Sequence, residues 1–156
     1  MHDIFVPYID QAYDKVNYLL EMQPVTCASL PKQMPKAGIY LLSEGERHWY
    51  VGRSNNIRGR LARHSRAGAT HRMAAFAFRL ARQQTGNLKA AYKAGAGSRD
   101  GLMKEALFLD AFSRAKERIR AMDVRFVEEV DPTRQALLEI YTAVVLGTPY
   151  NDFDTH

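Results

Sequence analysis

The stretch "GIYLLSEGERHWYVG", residues 38–52, decides the fold. Two short runs rich in aromatic and aliphatic residues flank the polar Ser43-Glu44-Gly45-Glu46, the signature of a β-hairpin. Each run carries a tyrosine and a glycine, Gly38-Ile39-Tyr40 in the first and Tyr50-Val51-Gly52 in the second. Side chains alternate between faces along a strand, so the turn decides whether the tyrosines share one. A two-residue loop at Glu44-Gly45 would send Tyr40 and Tyr50 to opposite faces. A three-residue loop, or an equivalent bulge, would put them on the same face, and that arrangement is expected.

Downstream of Gly52 come Arg53, Arg58, Arg60, Arg63 and His64 with no acidic residue among them. Asn55 or Asn56 is suited to cap a helix running through Ser65, with Ile57 and Leu61 on its inner face and Arg60 and His64 one turn apart on another. "THRMAAFAFRLARQQTG" (70–86) has helical periodicity and carries Arg72, Arg79 and Arg82. "NLKAAYKAGAGSRDG" (87–101) reads as a loop, followed by a helix near 102–120 and a strand near 123–130. Asp131 and Pro132 open a last helix that stops at Gly147. Upstream, 3–22 reads as one helix, and the three prolines of "PVTCASLPKQMP" make a connector.

Composition sets the outer limits. With 156 residues, 46% of them apolar, the chain is expected to form a single domain, since two separate cores would each be marginal. Its only cysteine, Cys27, excludes an intramolecular disulfide, and the five histidines show no zinc-ligand spacing around it. The start has no basic segment followed by an apolar run, and no apolar stretch is long enough to span a bilayer, so a cytoplasmic protein without a membrane partner is expected.

The net charge of +5 conceals a strong asymmetry. Arg47 to Arg99 holds twelve Lys or Arg and no Asp or Glu, whereas the remainder holds ten basic and seventeen acidic residues. A short basic run is usually a solvated face, but one spanning a third of the chain calls for a polyanion, and nucleic acid is the first candidate. Arg53, Arg58, Arg63, Arg72, Arg79 and Arg82 are candidate contacts to backbone phosphates.

Outside the hairpin, Glu139 is the most informative residue. Every side chain from Ala136 to Leu146 except Glu139, Tyr141 and Thr142 is aliphatic, which implies a largely buried helix holding one carboxylate. A buried carboxylate needs a partner. The plain choice is one of the arginines; the sharper one is a metal ion.

Tyr40, Tyr50, Arg60 and His64 would each pass singly as ordinary strand or helix residues. Their order carries more: Gly-Ile-Tyr, Tyr-Val-Gly, Arg60, His64, the lone Glu139, then Asn151. In that ordered set the chain resembles the GIY-YIG nuclease family over about residues 37–152, with Val51 standing for the usual isoleucine. The resemblance implies an α/β (α+β) fold with a small three-stranded antiparallel sheet flanked by helices, strands near 37–43, 47–52 and 123–130, and hydrolysis of a DNA phosphodiester with one Mg²⁺ or Mn²⁺. Residues 1–36 would be an N-terminal helical extension, and about 67–100 a basic helical insertion in the core.

It further implies that Glu139 holds the cation, Arg60 contacts the scissile phosphate, Tyr50 is the general base, Tyr40 positions water or phosphate and Asn151 orders the site. His64 would accept the proton from Tyr50, and Arg53 would supply charge beside it. Arg53 lies where related proteins often have lysine, and arginine stays protonated, which closes a proton-acceptor role there. The insertion and N-terminal helix resemble restriction-type members, making a type II restriction-like endonuclease the leading expectation. A structure-specific or repair nuclease and a non-catalytic nucleic-acid-binding protein are the alternatives. A homodimer would suit palindromic DNA, although no sequence feature specifies one.

Overall fold

A computed structural model of the chain describes residues 1–86 and 98–153. The elements in order are α1 (Val6–Ile9), α2 (Ala12–Glu21), β1 (Gly38–Glu44), β2 (Arg47–Ser54), α3 (Ile57–Ser65), α4 (Ala75–Gln84), α5 (Arg99–Leu102), α6 (Ala106–Ala121), β3 (Asp123–Glu128) and α7 (Pro132–Leu146). This is a mixed α/β chain with one three-stranded antiparallel sheet in the order β2-β1-β3. It divides into two compact units, Met1–Arg60 with Met122–His156, and Leu61–Ala121. The second unit thus exceeds the insertion expected at 67–100, beginning inside α3 and including all of α6.

In the first unit, β1 is the central strand and buries Gly38 to Ser43. One sheet face contributes Ile39, Leu41, Val51 and Val127, which meet Ala12, Val16 and Leu19 of α2 and Leu138 of α7. Burial of this apolar face stabilises the unit by about 25 cal/mol per Å² removed from water. Pairing is offset in two steps. Ser43 opposes His48 and Glu44 opposes Arg47 across a two-residue turn, and a bulge between Leu42 and Ser43 then shifts the register so that Leu42 opposes Tyr50 and Tyr40 opposes Gly52. The turn alone would have put the tyrosines on opposite faces; the extra residue of the bulge, Trp49, brings them to the same one.

Several boundaries differ from the sequence reading. The helix expected at 3–22 is broken at Asp10-Gln11 into α1 and α2, neither of which has a side-chain N-cap bond, and Tyr13 and Tyr18 face outward. The stripe that packs is Ala12, Val16 and Leu19. Helix α7 is capped by Asp131, whose Oδ1 accepts from Arg134 N at 2.8 Å, and ends at Gly147 as expected. It is not largely buried, however: Ile140, Val144 and Val145 are 45%, 73% and 55% exposed. An aliphatic run with almost no polar punctuation has no readable phase, and only the stripe holding Leu138, Thr142 and Ala143 turns inward.

The second unit is built on aromatic packing. Phe78 meets Phe108 at 5.1 Å and Phe112 at 6.4 Å between ring centroids, both edge-on, joining α4 to α6. Lys116 is buried yet satisfied, its Nζ donating to Ala67 O at 2.6 Å and Ala69 O at 3.0 Å, and burial lowers its pKa. Helix α4 begins only at Ala75, leaving Arg72 in the preceding turn. Of the loop expected at 87–101, residues 87–97 lie outside the described part, while Ser98 caps α5 by accepting from Gly101 N at 3.0 Å. The helix expected at 102–120 is present as α6 and starts later, at Ala106, after α5 and a turn at Met103–Glu105.

Candidate active site

The face of β1 and β2 opposite Ile39 and Val51 carries Tyr40, Tyr50 and Gly52. The rings of Tyr40 and Tyr50 lie 6.3 Å apart between centroids, tilted by 49°. Gly52 makes this possible: a Cβ there would stand 2.2 Å from both Cζ and Oη of Tyr40, so that ring lies directly across the glycine. Gly38 solves a different problem. Its φ of +155° is one that residues with a Cβ rarely adopt, and a Cβ would fall 2.0 Å from the Val127 carbonyl oxygen of the neighbouring strand. The two motif glycines therefore secure strand pairing and tyrosine placement, respectively.

Arg60 comes to the tyrosines from α3. Asn56 caps this helix, its Oδ1 accepting from Gly59 N at 3.1 Å, while Asn55 Oδ1 accepts from Gln135 Nε2 at 3.2 Å. The Arg60 guanidinium lies beside the Tyr40 and Tyr50 hydroxyls and interacts electrostatically with both. Burial works against its charge, but these two phenols outweigh burial and its pKa stands above the ordinary arginine value. Tyr40 is fully buried, which raises its pKa well above the usual phenol value with help from Tyr50, against the opposing pull of Arg60. At neutral pH Tyr40 is a neutral phenol.

Glu139 on α7 meets Arg53, whose Nε donates to Oε2 at 3.1 Å. The arginine partner expected for this carboxylate is thus present, from a residue expected beside Tyr50. Burial raises the Glu139 pKa, and Arg53 and then Arg60 pull it down without cancelling the rise. Its charge is also felt by Tyr40. Tyr40, Tyr50, Arg60 and Glu139 therefore form one electrostatic cluster within the first unit, with Arg53 at its edge.

Asn151 acts on the backbone. Its Oδ1 accepts from Val51 N at 2.9 Å and its Nδ2 donates to Val51 O at 2.8 Å, imitating a fourth strand along the open edge of β2. Thr148 Oγ1 donates to the same Oδ1 at 2.7 Å, and Tyr150 N donates to Trp49 O at 3.2 Å. Sequence reading overlooked Thr148; a polar residue three before Asn151, just after the Gly147 stop, was the available signal. Asn151→Ala should cost roughly 1–3 kcal/mol for unsatisfied edge groups and speed exchange of the Val51 amide hydrogen. Undiminished protection of that amide would show that another group closes the edge.

His64 belongs to the second unit, where it is fully buried with its ring edge-on to Phe76 at 6.4 Å. Among the expected phosphate contacts, Arg58 donates to the carbonyl of Pro31 and, at 3.5 Å, to that of Lys32, while Arg63 is exposed. Arg72 is exposed and lies 3.9 Å from Asp100, whose other oxygen accepts from His71 at 3.1 Å. Asp100, the first acid after the basic run, folds back onto it.

Among the described residues no three His, Cys, Asp or Glu gather as a metal cluster, and no helix is long and apolar enough to cross a membrane. A hard cation here would have Glu139 as its carboxylate ligand and keep several waters, a donor set that suits Mg²⁺ or Mn²⁺ better than a soft metal. No protein-family model, curated protein or solved structure matches the chain.

Proposed function

We propose that the chain is a metal-dependent DNA endonuclease on a GIY-YIG-type fold, restriction-like and acting in the cytoplasm, that hydrolyses a phosphodiester with one Mg²⁺ or Mn²⁺. The observation that carries this reading is the Tyr40–Tyr50 pair on one sheet face, with Arg60 beside both hydroxyls and the Glu139 carboxylate in the field of Arg60. A permanently charged guanidinium beside two phenols is suited to a phosphate group. Arg60 binds the scissile phosphate and neutralises the charge that grows on it. Tyr40, kept neutral by burial, orients phosphate or water as a hydrogen-bond donor. Tyr50 takes the proton of the attacking water, a role the positive Arg60 beside it favours. Glu139 holds the cation, which supplies Lewis-acid stabilisation of the phosphate when bound. Asn151 keeps Tyr50 in place through the backbone of Val51.

Supercoiled, linear, branched and single-stranded DNA incubated with Mg²⁺ or with chelator, followed by end mapping, tests the proposal and separates a restriction-like from a structure-specific or repair enzyme. The Arg53–Glu139 pair favours a second reading, a nucleic-acid-binding protein in which Glu139 only balances an arginine. Binding without cleavage under every cation condition would select it.

The Glu139 environment sets the acid limb of activity. The carboxylate must be ionised to hold a cation, and burial raises its pKa, so cleavage should rise with pH through a midpoint above the usual carboxylate value of about 4.3. Arg53 pulls that pKa down, so Arg53→Gln should move the limb to higher pH. A limb that moves downward in this variant contradicts the assignment of Glu139.

A further inference from the structure

We infer that the second unit carries a phosphate-binding site of its own, formed by Arg79, Arg82 and Arg99, which takes the sugar-phosphate backbone of a nucleic acid. The inference rests on the nucleic-acid part of the proposed function but not on catalysis. Arg79 and Arg82 lie one turn apart on α4, and Arg99 opens α5 after the Ser98 cap. The buried ring of Phe78 gathers two of them: the guanidinium carbon of Arg99 is 4.9 Å from its centroid and that of Arg82 is 6.0 Å. Guanidinium groups resting on an aromatic ring are held in place before any ligand arrives. After burial, the charges of Arg99 and Arg79 are what lower the pKa of Arg82, so the three cations sense one another.

Like charges brought together repel, and a phosphate placed among them turns that repulsion into attraction. Asp100, next to Arg99 in the chain, directs its two oxygens to His71 and Arg72. The trio also lies within the Arg47–Arg99 span that contains no acidic residue, which favours an extended polyanion over a single free phosphate. Arg99, absent from the contacts expected from sequence, is brought to α4 by the tertiary packing of α5.

The test uses the full chain, a short fluorescein-labelled DNA duplex and chelator, with binding followed by anisotropy across a salt series. Arg79→Gln combined with Arg99→Gln should weaken binding and reduce the slope of log affinity against log salt by about one to two, roughly one per lost phosphate contact. Arg99→Lys, which keeps the charge but loses the planar fork, should keep the slope and lose part of the affinity. Arg114→Gln serves as the charge-matched control in the same unit, because Arg114 is engaged by Asp110 at 3.0 Å, and should leave the slope unchanged. An unchanged slope in the double variant, or an equal loss in Arg114→Gln, overturns the site. So does an arginine-dependent interaction with phosphatidylserine vesicles in place of DNA. Wild-type binding without Mg²⁺-dependent cleavage, with the slope still dependent on these arginines, would remove the nuclease and keep the site. Cleavage with no such dependence would do the reverse.

Discussion

Glu139→Gln is expected to reduce Mg²⁺-dependent cleavage by on the order of 10²–10³-fold or more while leaving a folded protein that still binds DNA. Glutamine keeps the shape and can still accept from Arg53, but it lacks the charge that retains a hard cation. DNA binding should survive or tighten, since a negative charge in the field of Arg60 has gone. The stability of the variant follows from the sign of the pKa shift. A carboxyl whose folded pKa is raised favours folding in its protonated form; that contribution is full below the unfolded value of about 4.3 and is lost as pH rises through the folded value. At neutral pH without cation, ionised Glu139 therefore burdens the fold, and Glu139→Gln should melt at or above the wild-type temperature. Arg53 adds little penalty when its partner is neutralised, because its side chain is 46% exposed and remains hydrated. Mg²⁺ should raise the melting temperature of the wild type and not of the variant. A folded Glu139→Gln protein that cuts at the wild-type rate would remove the metal-ligand role, and one that melts far lower in chelator would make Glu139 a structural ion-pair partner instead.

The hairpin was legible because alternation and turn composition are local. Its shared tyrosine face was also legible as a requirement, but the means were hidden: a two-residue turn compensated by a bulge at Trp49 has the same sequence outline as a longer loop. Arg53 and Glu139 lie 86 residues apart, and only the packing of α7 beside β2 brings them together. Glu129, at the end of "VEEV", is buried, pairs with Lys15, and accepts from Asp131 N at 3.1 Å. Glu139 is therefore not the sole enclosed carboxylate, and what sets it apart is its neighbours Arg60 and Tyr40 rather than its burial. The basic run pointed to an anion but not to its own internal order, in which Arg72 leans toward Asp100 while Arg82 and Arg99 gather at Phe78.

The two motif glycines should respond differently to alanine, and the difference links fold to site. At Gly38 the obstacles are backbone atoms: Val127 O at 2.0 Å, with Glu128 Cα and Glu129 N at 3.0 Å. Since β1 is the central strand, Gly38→Ala must push β3 away or abandon a φ of +155°, and should cost on the order of 4 kcal/mol or more. At Gly52 the obstacle is a side chain, with Tyr40 Cζ and Oη at 2.2 Å and Cε1 at 2.8 Å. Gly52→Ala should cost about 1–3 kcal/mol by overpacking. It should also lower cleavage on the order of 10²-fold, because the displaced hydroxyl no longer meets Arg60. Tyr40→Leu removes all three atoms facing Gly52, so the stability cost of Gly52→Ala should largely vanish in that background, whereas the cost of Gly38→Ala should persist. Urea unfolding of the single and double variants measures both couplings. Equal costs of Gly52→Ala with and without the Tyr40 ring would mean that the glycine serves the strand and not the tyrosine, and the account of how the two motifs assemble one site would fail.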